Sequence, residues 1–337
     1  MRAVVKRAYK KHNRCSVPGT TVDADMNEQP PVTGSADLRF SGEQLQIWKQ
    51  DGGVLLERFF APEEIEPCRA DMEALYLDRR DPDAVVQNLK EPGAIGLFSR
   101  DQFRNFDDMP FDCSPALNLL GLHPALIELA RAALGTHDVR LYQSHSWAKF
   151  TGEADFDQNF HCDFKNHTLT VPAEAAAQRT INCMIYLTDV ADDVGAIHYV
   201  PVGESDKVAG GNRDPFGPQE VQAPLKSLER SGAGPAGSIF AYGIDVYHRG
   251  TNLTRPGGIR YTLTASFKAA GNDMIGWSAW PHSHMKPWHI LFEHCSPDQL
   301  SCLGVPAPGH SFWTRHTVER TQRRWPMWNA QPYLDAL

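Results

Sequence analysis

From Val139 onward, apolar and polar positions alternate with a period of two, whereas before it the apolar positions mostly fall at helical spacing. Alternate residues of a strand point to the same face. Leu141–Lys149 therefore puts Gln143, His145, Trp147 and Lys149 on one face, and a tryptophan among polar groups suits a half-buried polar cavity. Thr180–Thr188 and Ala196–Pro201 read as further strands, and strands resume at Ser238 after a Gly/Pro-rich excursion over 203–234. Gly258–Phe267 alternates strictly, with Arg260, Thr262, Thr264 and Ser266 on one face and Ile259, Tyr261, Leu263, Ala265 and Phe267 on the other.

The first third reads differently. Ser41 is an N-cap for a short helix carrying Leu45 and Trp48, which Gly52-Gly53 stops. Val54–Phe60 reads as a strand, and Pro62-Glu63-Glu64 opens a helix to about Leu77, with acids at its positive end. Residues 79–115 hold little periodicity and read as a long irregular segment, followed by a helix over His123–Leu134 with Gly135 as its C-cap. After Phe267 come Trp277, Trp280, His282, His284, Trp288, His289 and His294, an aromatic cap, and Ser296-Pro297-Asp298 opens a last short helix. Short strands between turns, with helices at both ends, predict a mainly β fold with flanking helices, a sandwich or jelly roll.

Composition narrows the partners. The formal net charge of -8 weighs against nucleic acid or an anionic membrane, which call for a basic surface. No stretch approaches the ~20 consecutive apolar residues of a membrane span. Seven cysteines, odd in number and without a Cys-x-x-Cys pair, read as free thiols in a reducing compartment, so a cytoplasmic location is expected. Residues 1–37 are basic and acid-free up to Asp23, then hold Pro30-Pro31 and Gly34-Ser35. They read as a disordered or non-native extension, with Met26 as an alternative start and an organelle transit peptide as the rival reading, ahead of a single domain over 38–337.

The candidate chemistry lies in Phe160-His161-Cys162-Asp163, whose aromatic neighbours Phe156, Phe160 and Phe164 suit a strand, so that His161 and Asp163 share a face. A strand edge with two polar residues gives the same pattern. A second histidine, His248, stands ahead of the Arg260 strand, and two histidines with one carboxylate suit non-haem Fe(II). Arg260 shares the polar face of its strand, from which a guanidinium can present its planar fork to a carboxylate. Arg255, in the turn Thr254–Gly258, is expected to face solvent.

These segments, together with Gly53–Phe60, Pro62–Ile65, and Tyr186–Val190 with its acidic turn and Gly195, resemble the phytanoyl-CoA dioxygenase-type family of Fe(II)/2-oxoglutarate oxygenases from about residue 41 onward. The resemblance implies a double-stranded β-helix of the cupin-like kind, with His161, Asp163 and His248 as iron ligands. It also implies Arg260 as partner of the distal carboxylate of 2-oxoglutarate, with Thr251, Gln143 and Lys149 helping to hold that cosubstrate. O2 would be the second cosubstrate, succinate and CO2 the by-products, and a small molecule the substrate. Asp163 points to hydroxylation, because related halogenases carry a small residue there. Two departures stand out: the His248-to-Arg260 spacing is one residue longer than usual, and Pro201-Val-Gly-Glu-Ser-Asp replaces the family's Pro-Gly-Ser-His turn. A cupin-like metal enzyme without 2-oxoglutarate and a catalytically silent jelly-roll binding protein are the alternatives; only the oxygenase needs a cation at Arg260.

Overall fold

The strictly alternating stretch before Ala269 becomes an inner strand of a six-stranded antiparallel sheet, flanked by its longest partner. The structure, a computed structural model, describes residues 38–86, 105–153, 157–173, 175, 178–210, 219–276 and 286–337. The N-terminal extension 1–37, Phe156, and Trp277, Trp280, His282 and His284 of the aromatic cap lie outside the described residues.

In chain order the strands are β1 (Gly53–Leu56), β2 (Phe106–Asp108), β3 (Val139–Phe150), β4 (Thr180–Tyr186), β5 (Ile197–Tyr199), β6 (Arg230–Ser231), β7 (Ile239–Tyr242), β8 (His248–Gly250) and β9 (Ile259–Ala269). The large sheet runs β1-β7-β4-β9-β3-β2 and a small one runs β6-β5-β8. Non-consecutive neighbours such as β7 beside β1 and β9 beside β4 are the crossovers of a jelly roll.

The large sheet is covered on both faces. Tyr261, Leu263, Ala265 and Phe267 of β9 join Ile181, Cys183 and Ile185 of β4 in a core shared with the helices, every one of them nearly or fully buried. Those helices are α1 (Gly42–Asp51), α2 (Pro62–Tyr76), α3 (Pro115–Leu120) and α4 (Pro124–Leu134), with further helices C-terminal to β9. On the opposite face Met184, Tyr186, Phe240 and Tyr242 pack with Ile197, Tyr199 and Val246 near the small sheet.

Local signals set the helix ends. Ser41 caps α1 by a reciprocal box with Gln44, and Gly52 closes it at φ 76°, a left-handed conformation that favours glycine. His123 Nδ1 accepts from the Ala125 amide, 3.2 Å, and Gly135 ends α4 at φ 64°. The run Pro115–Leu134 is long and apolar enough to cross a membrane by length and composition, but it is two helices, and 67% of its apolar window is buried in the protein.

Four expectations need correcting. The strand over 54–60 ends at Leu56, because Arg58 turns the chain at φ 49° and sends Phe59 and Phe60 into the core. The irregular segment over 79–115 contains β2, whose three residues are too few to carry a periodicity. Within the excursion over 203–234 stand two helices, Val202–Ala209 and Gln219–Ser227. The His-x-Asp segment is not a strand: His161 forms a single bridge to His248, and Asp163 leads into a helical turn at Phe164–His167.

Candidate metal and cosubstrate site

His161 and His248 exchange both backbone hydrogen bonds, amide to carbonyl, at 3.0 Å each. That bridge sets their rings side by side, with centroids 4.5 Å apart. Nδ1 of His161 lies 2.9 Å from the Asn159 carbonyl and Nδ1 of His248 lies 2.9 Å from the Val246 carbonyl. A carbonyl only accepts, so each Nδ1 carries the proton and each Nε2 keeps its lone pair for the space between them. Into that space comes Asp163, Oδ1 3.7 Å from His161 Nε2 and Oδ2 3.5 Å from His248 Nε2. The three donor atoms lie within 4.8 Å of one another. Bonds of about 2 Å to a common ion put donors about 3 to 4 Å apart, the spacing at which the Asp163 oxygens already stand from the two imidazoles. Burial would raise the Asp163 carboxyl, but His248, His161 and His167, with a hydrogen bond from the Tyr242 hydroxyl at 3.3 Å, outweigh it and hold the pKa below the usual range.

The strand registers give the inner face of the large sheet an order. Tyr242, Asn182, Ser266 and Gln143 form one row across β7, β4, β9 and β3. Phe240, Met184, Thr264 and His145 form the next, continued on β2 by Asp108, and Tyr186, Thr262 and Trp147 the third, continued by Phe106. Beyond them Arg260 and Lys149 are paired directly across β9 and β3.

Arg260 is 4% exposed. Its Nη1 donates to the Gly195 carbonyl, and its Nε has no hydrogen-bond partner among the described residues. Burial pulls its pKa down to about 10, and burial with the Arg260 charge pulls Lys149 well below the ordinary lysine range. Lys149 Nζ sits 4.8 Å from the centre of the Trp147 ring and pairs with no carboxylate among the described residues. Gly195, at φ 81°, admits no side chain, since a Cβ there would stand 2.7 Å from Leu253 Cδ1 and 2.8 Å from the Thr251 carbonyl. Thr251 reaches this end too, but its hydroxyl donates to the Ala196 carbonyl at 2.8 Å, which commits its only proton. Gln143 belongs to the other end, its Nε2 2.9 Å from His145 Nδ1. Arg255 faces solvent and pairs with Asp193 at 2.7 and 2.9 Å.

Several residues near the triad were not singled out from the sequence. Tyr242 reaches Asp163 from β7, a strand whose apolar run Ile239–Tyr242 gives no hint of it. His167 is nearly buried and bonded through Nδ1 to the Tyr142 hydroxyl, 2.5 Å. A third histidine closing His161-x-Asp163-x-x-x-His167 was the available signal. His145 was placed on the polar face, yet its position beside the acid was not; burial and His167 lower its pKa to about 3 despite the charge of Asp163.

Residues 48–257 match the profile of the family described as phytanoyl-CoA dioxygenase (PhyH). The chain belongs to that family. The matched stretch holds His161, Asp163 and His248 and stops just short of Arg260. Ectoine dioxygenase of Bordetella bronchiseptica is 31% identical over 181 residues, 52% of this chain and 53% of that protein, and the Bordetella parapertussis protein matches equally. The chain thus spans about half the length of the curated relatives it matches. Among solved structures, the non-heme alpha ketoglutarate dependent carbocyclase SnoK from nogalamycin biosynthesis superposes with TM-score 0.51 at 19% identity, over 75% of this chain and 93% of that one. EctD from S. alaskensis with 2-oxoglutarate and 5-hydroxyectoine gives TM-score 0.51 at 19% identity, over 72% and 80%. At such identities the likeness is one of fold, the cupin-like jelly roll.

Proposed function

We propose that this protein is an Fe(II)/2-oxoglutarate-dependent dioxygenase that hydroxylates a small molecule. The observation that carries the reading is the presence in one fold of two features: three metal donors within 4.8 Å, and on the large sheet the buried Arg260 paired with the half-buried Lys149, with no carboxylate partner for either among the described residues. Two adjacent cations held out of water are costly unless an anion joins them. An orphaned guanidinium edge fits a carboxylate, and two imidazoles with one carboxylate fit iron(II), so the residues suit both groups.

His161, Asp163 and His248 would hold the metal, and Arg260 and Lys149 the C5 carboxylate of 2-oxoglutarate. Together the bound groups supply a balanced oxidation in which substrate, O2 and 2-oxoglutarate give hydroxylated substrate, succinate and CO2. The protein's share is orientation and charge. The Asn159 and Val246 carbonyls fix the two imidazole tautomers. Tyr242 donates to Asp163 and adds to the pull of His248, His161 and His167 that holds the carboxyl below its ordinary pKa. Trp147, lying against Lys149, shields the cationic end from solvent.

Ectoine, named in the curated relatives, is the first compound to test, followed by a metabolite extract. Anaerobically iron-loaded protein given 2-oxoglutarate, O2 and substrate is expected to release succinate and a product heavier by one oxygen atom. A protein that binds neither iron nor 2-oxoglutarate would sink the reading.

A further inference from the structure

We propose that Asp108 and His145 form the polar anchor for the substrate of this site, and that the substrate carries a protonated nitrogen, an ammonium or amidinium, beside a hydrogen-bond acceptor. The inference rests on the oxygenase reading above and assigns the substrate class that reading leaves open.

Asp108 and His145 are register partners across β2 and β3, so their side chains project side by side from the inner face of the sheet. The ring contacts agree with that face, since Phe106, two residues before Asp108, lies 4.4 Å from His145 and 5.9 Å from Trp147. Tyr142, three residues before His145 on β3, is bonded to His167 in the helical turn that Asp163 opens, which sets this part of β3 toward the metal donors. The cosubstrate's cations stand two rows away, beyond Trp147, so the row of His145 is free for a second molecule.

Neither the Asp108 carboxylate nor His145 Nε2 is satisfied among the described residues. The Asp108 carboxylate has no hydrogen bond or ion pair among the described residues. Lys286 instead bonds the Asp107 carboxylate at 2.7 Å and the Asp108 backbone carbonyl at 2.6 Å. Burial raises the Asp108 carboxyl, with Lys286 opposing and Asp107 adding to the shift. An incoming cation would offset that burial. His145 is 6% exposed, and with Gln143 Nε2 donating to its Nδ1 the ring proton lies on Nε2, which has no hydrogen-bond partner among the described residues. An acceptor carboxylate and a donor imidazole, both held in fixed strands, would select a ligand with the complementary pair about 5 Å apart. A nearly buried, unpartnered donor beside an unpaired acid distinguishes this from an ordinary surface carboxylate.

Full-length protein, loaded with Fe(II) anaerobically and saturated with 2-oxoglutarate, tests this by calorimetric titration with matched probes: benzamidinium against benzamide, and benzylammonium against benzyl alcohol. The wild type should favour each charged probe by about tenfold or more, the worth of one charge-assisted contact. Asp108→Asn should bring the paired affinities level while leaving 2-oxoglutarate binding intact, and Asp107→Asn should preserve the preference. If Asp108→Asn does not fold, Asp108→Ser is read in its place. Absence of the preference in the wild type, whether both probes bind equally or neither binds, or its survival in Asp108→Asn, overturns the assignment. Failure of the wild type to bind 2-oxoglutarate defeats the oxygenase reading instead, and the two failures are told apart in the same samples.

Discussion

Lys149 and Arg260 stand directly opposite each other across β3 and β9, two cations paired in register with no carboxylate partner among the described residues. Removing one should relieve the repulsion but also remove half of the anion site. Arg260→Ala is expected to weaken 2-oxoglutarate about tenfold or more, with a smaller effect on iron. Arg255→Ala should be nearly silent, because that side chain's ion pair with Asp193 is exposed and screened. The 2-oxoglutarate dependence of succinate formation in the two variants decides it; a defect in Arg255→Ala alone would mean the wrong arginine had been assigned.

Asp163→Ala should abolish substrate oxidation, leaving weaker metal binding through His161 and His248. Tyr242→Phe removes one hydrogen bond at 3.3 Å and should lower iron affinity only a few-fold. Iron titrations under anaerobic conditions separate these outcomes; undiminished turnover in Asp163→Ala excludes it as a ligand.

Metal binding should stabilise the fold. His161, Asp163 and His248 come from two segments distant in sequence that meet only in the fold, so an ion they share favours the native state and not the unfolded chain. An excess of a divalent ion one hundredfold above its Kd should add about 2.7 kcal/mol. A chelator should reverse the rise in melting temperature, and no shift with either addition would refute a shared site.

A second ion network gives opposite pH dependences at its two members. Burial alone would raise the Glu229 carboxyl, but His198 and Arg249 outweigh it and hold its pKa at about 2. The stability from Glu229 is therefore complete above its ordinary pKa of 4.5 and lost as pH falls from there toward 2. His198, raised above 6.5 by its pairing with Glu229 and Asp192, contributes fully below 6.5 and progressively less as pH rises through its elevated value. Denaturant midpoints for Glu229→Gln should fall furthest below wild type near neutrality and converge with it at the acid end. The deficit of His198→Gln should shrink on the alkaline side; a deficit flat across pH would remove the ion network from the explanation.

Gly195→Ala should fail on two counts. The left-handed backbone and the nearby Leu253 and Thr251 atoms make it destabilising by more than about 1 kcal/mol. The carbonyl that receives Arg260 would also shift, so 2-oxoglutarate binding should fall in the folded fraction. Normal melting temperature together with normal 2-oxoglutarate affinity would contradict this.

Alternation in the sequence was enough to identify the β3 and β9 faces, the helices α1, α2 and α4, and the polar row Gln143, His145, Trp147 and Lys149, because period and capping are properties of neighbouring residues. The candidate triad and Arg260 were legible for the same reason: a His-x-Asp and an alternating arginine are local patterns, made specific by the family resemblance. What tertiary structure decided was pairing. The bridge between His161 and His248, the opposition of Lys149 to Arg260, the Tyr242 bond to Asp163 and the row shared by Asp108 and His145 all depend on strand registers set by packing over long sequence separations. β2 escaped notice because three residues carry no period, and Asp163 lies in a turn because the backbone after the His161 bridge curls into Phe164–His167. A sequence specifies which groups a strand offers; only the closed sheet determines which of them meet, and which are left without a partner.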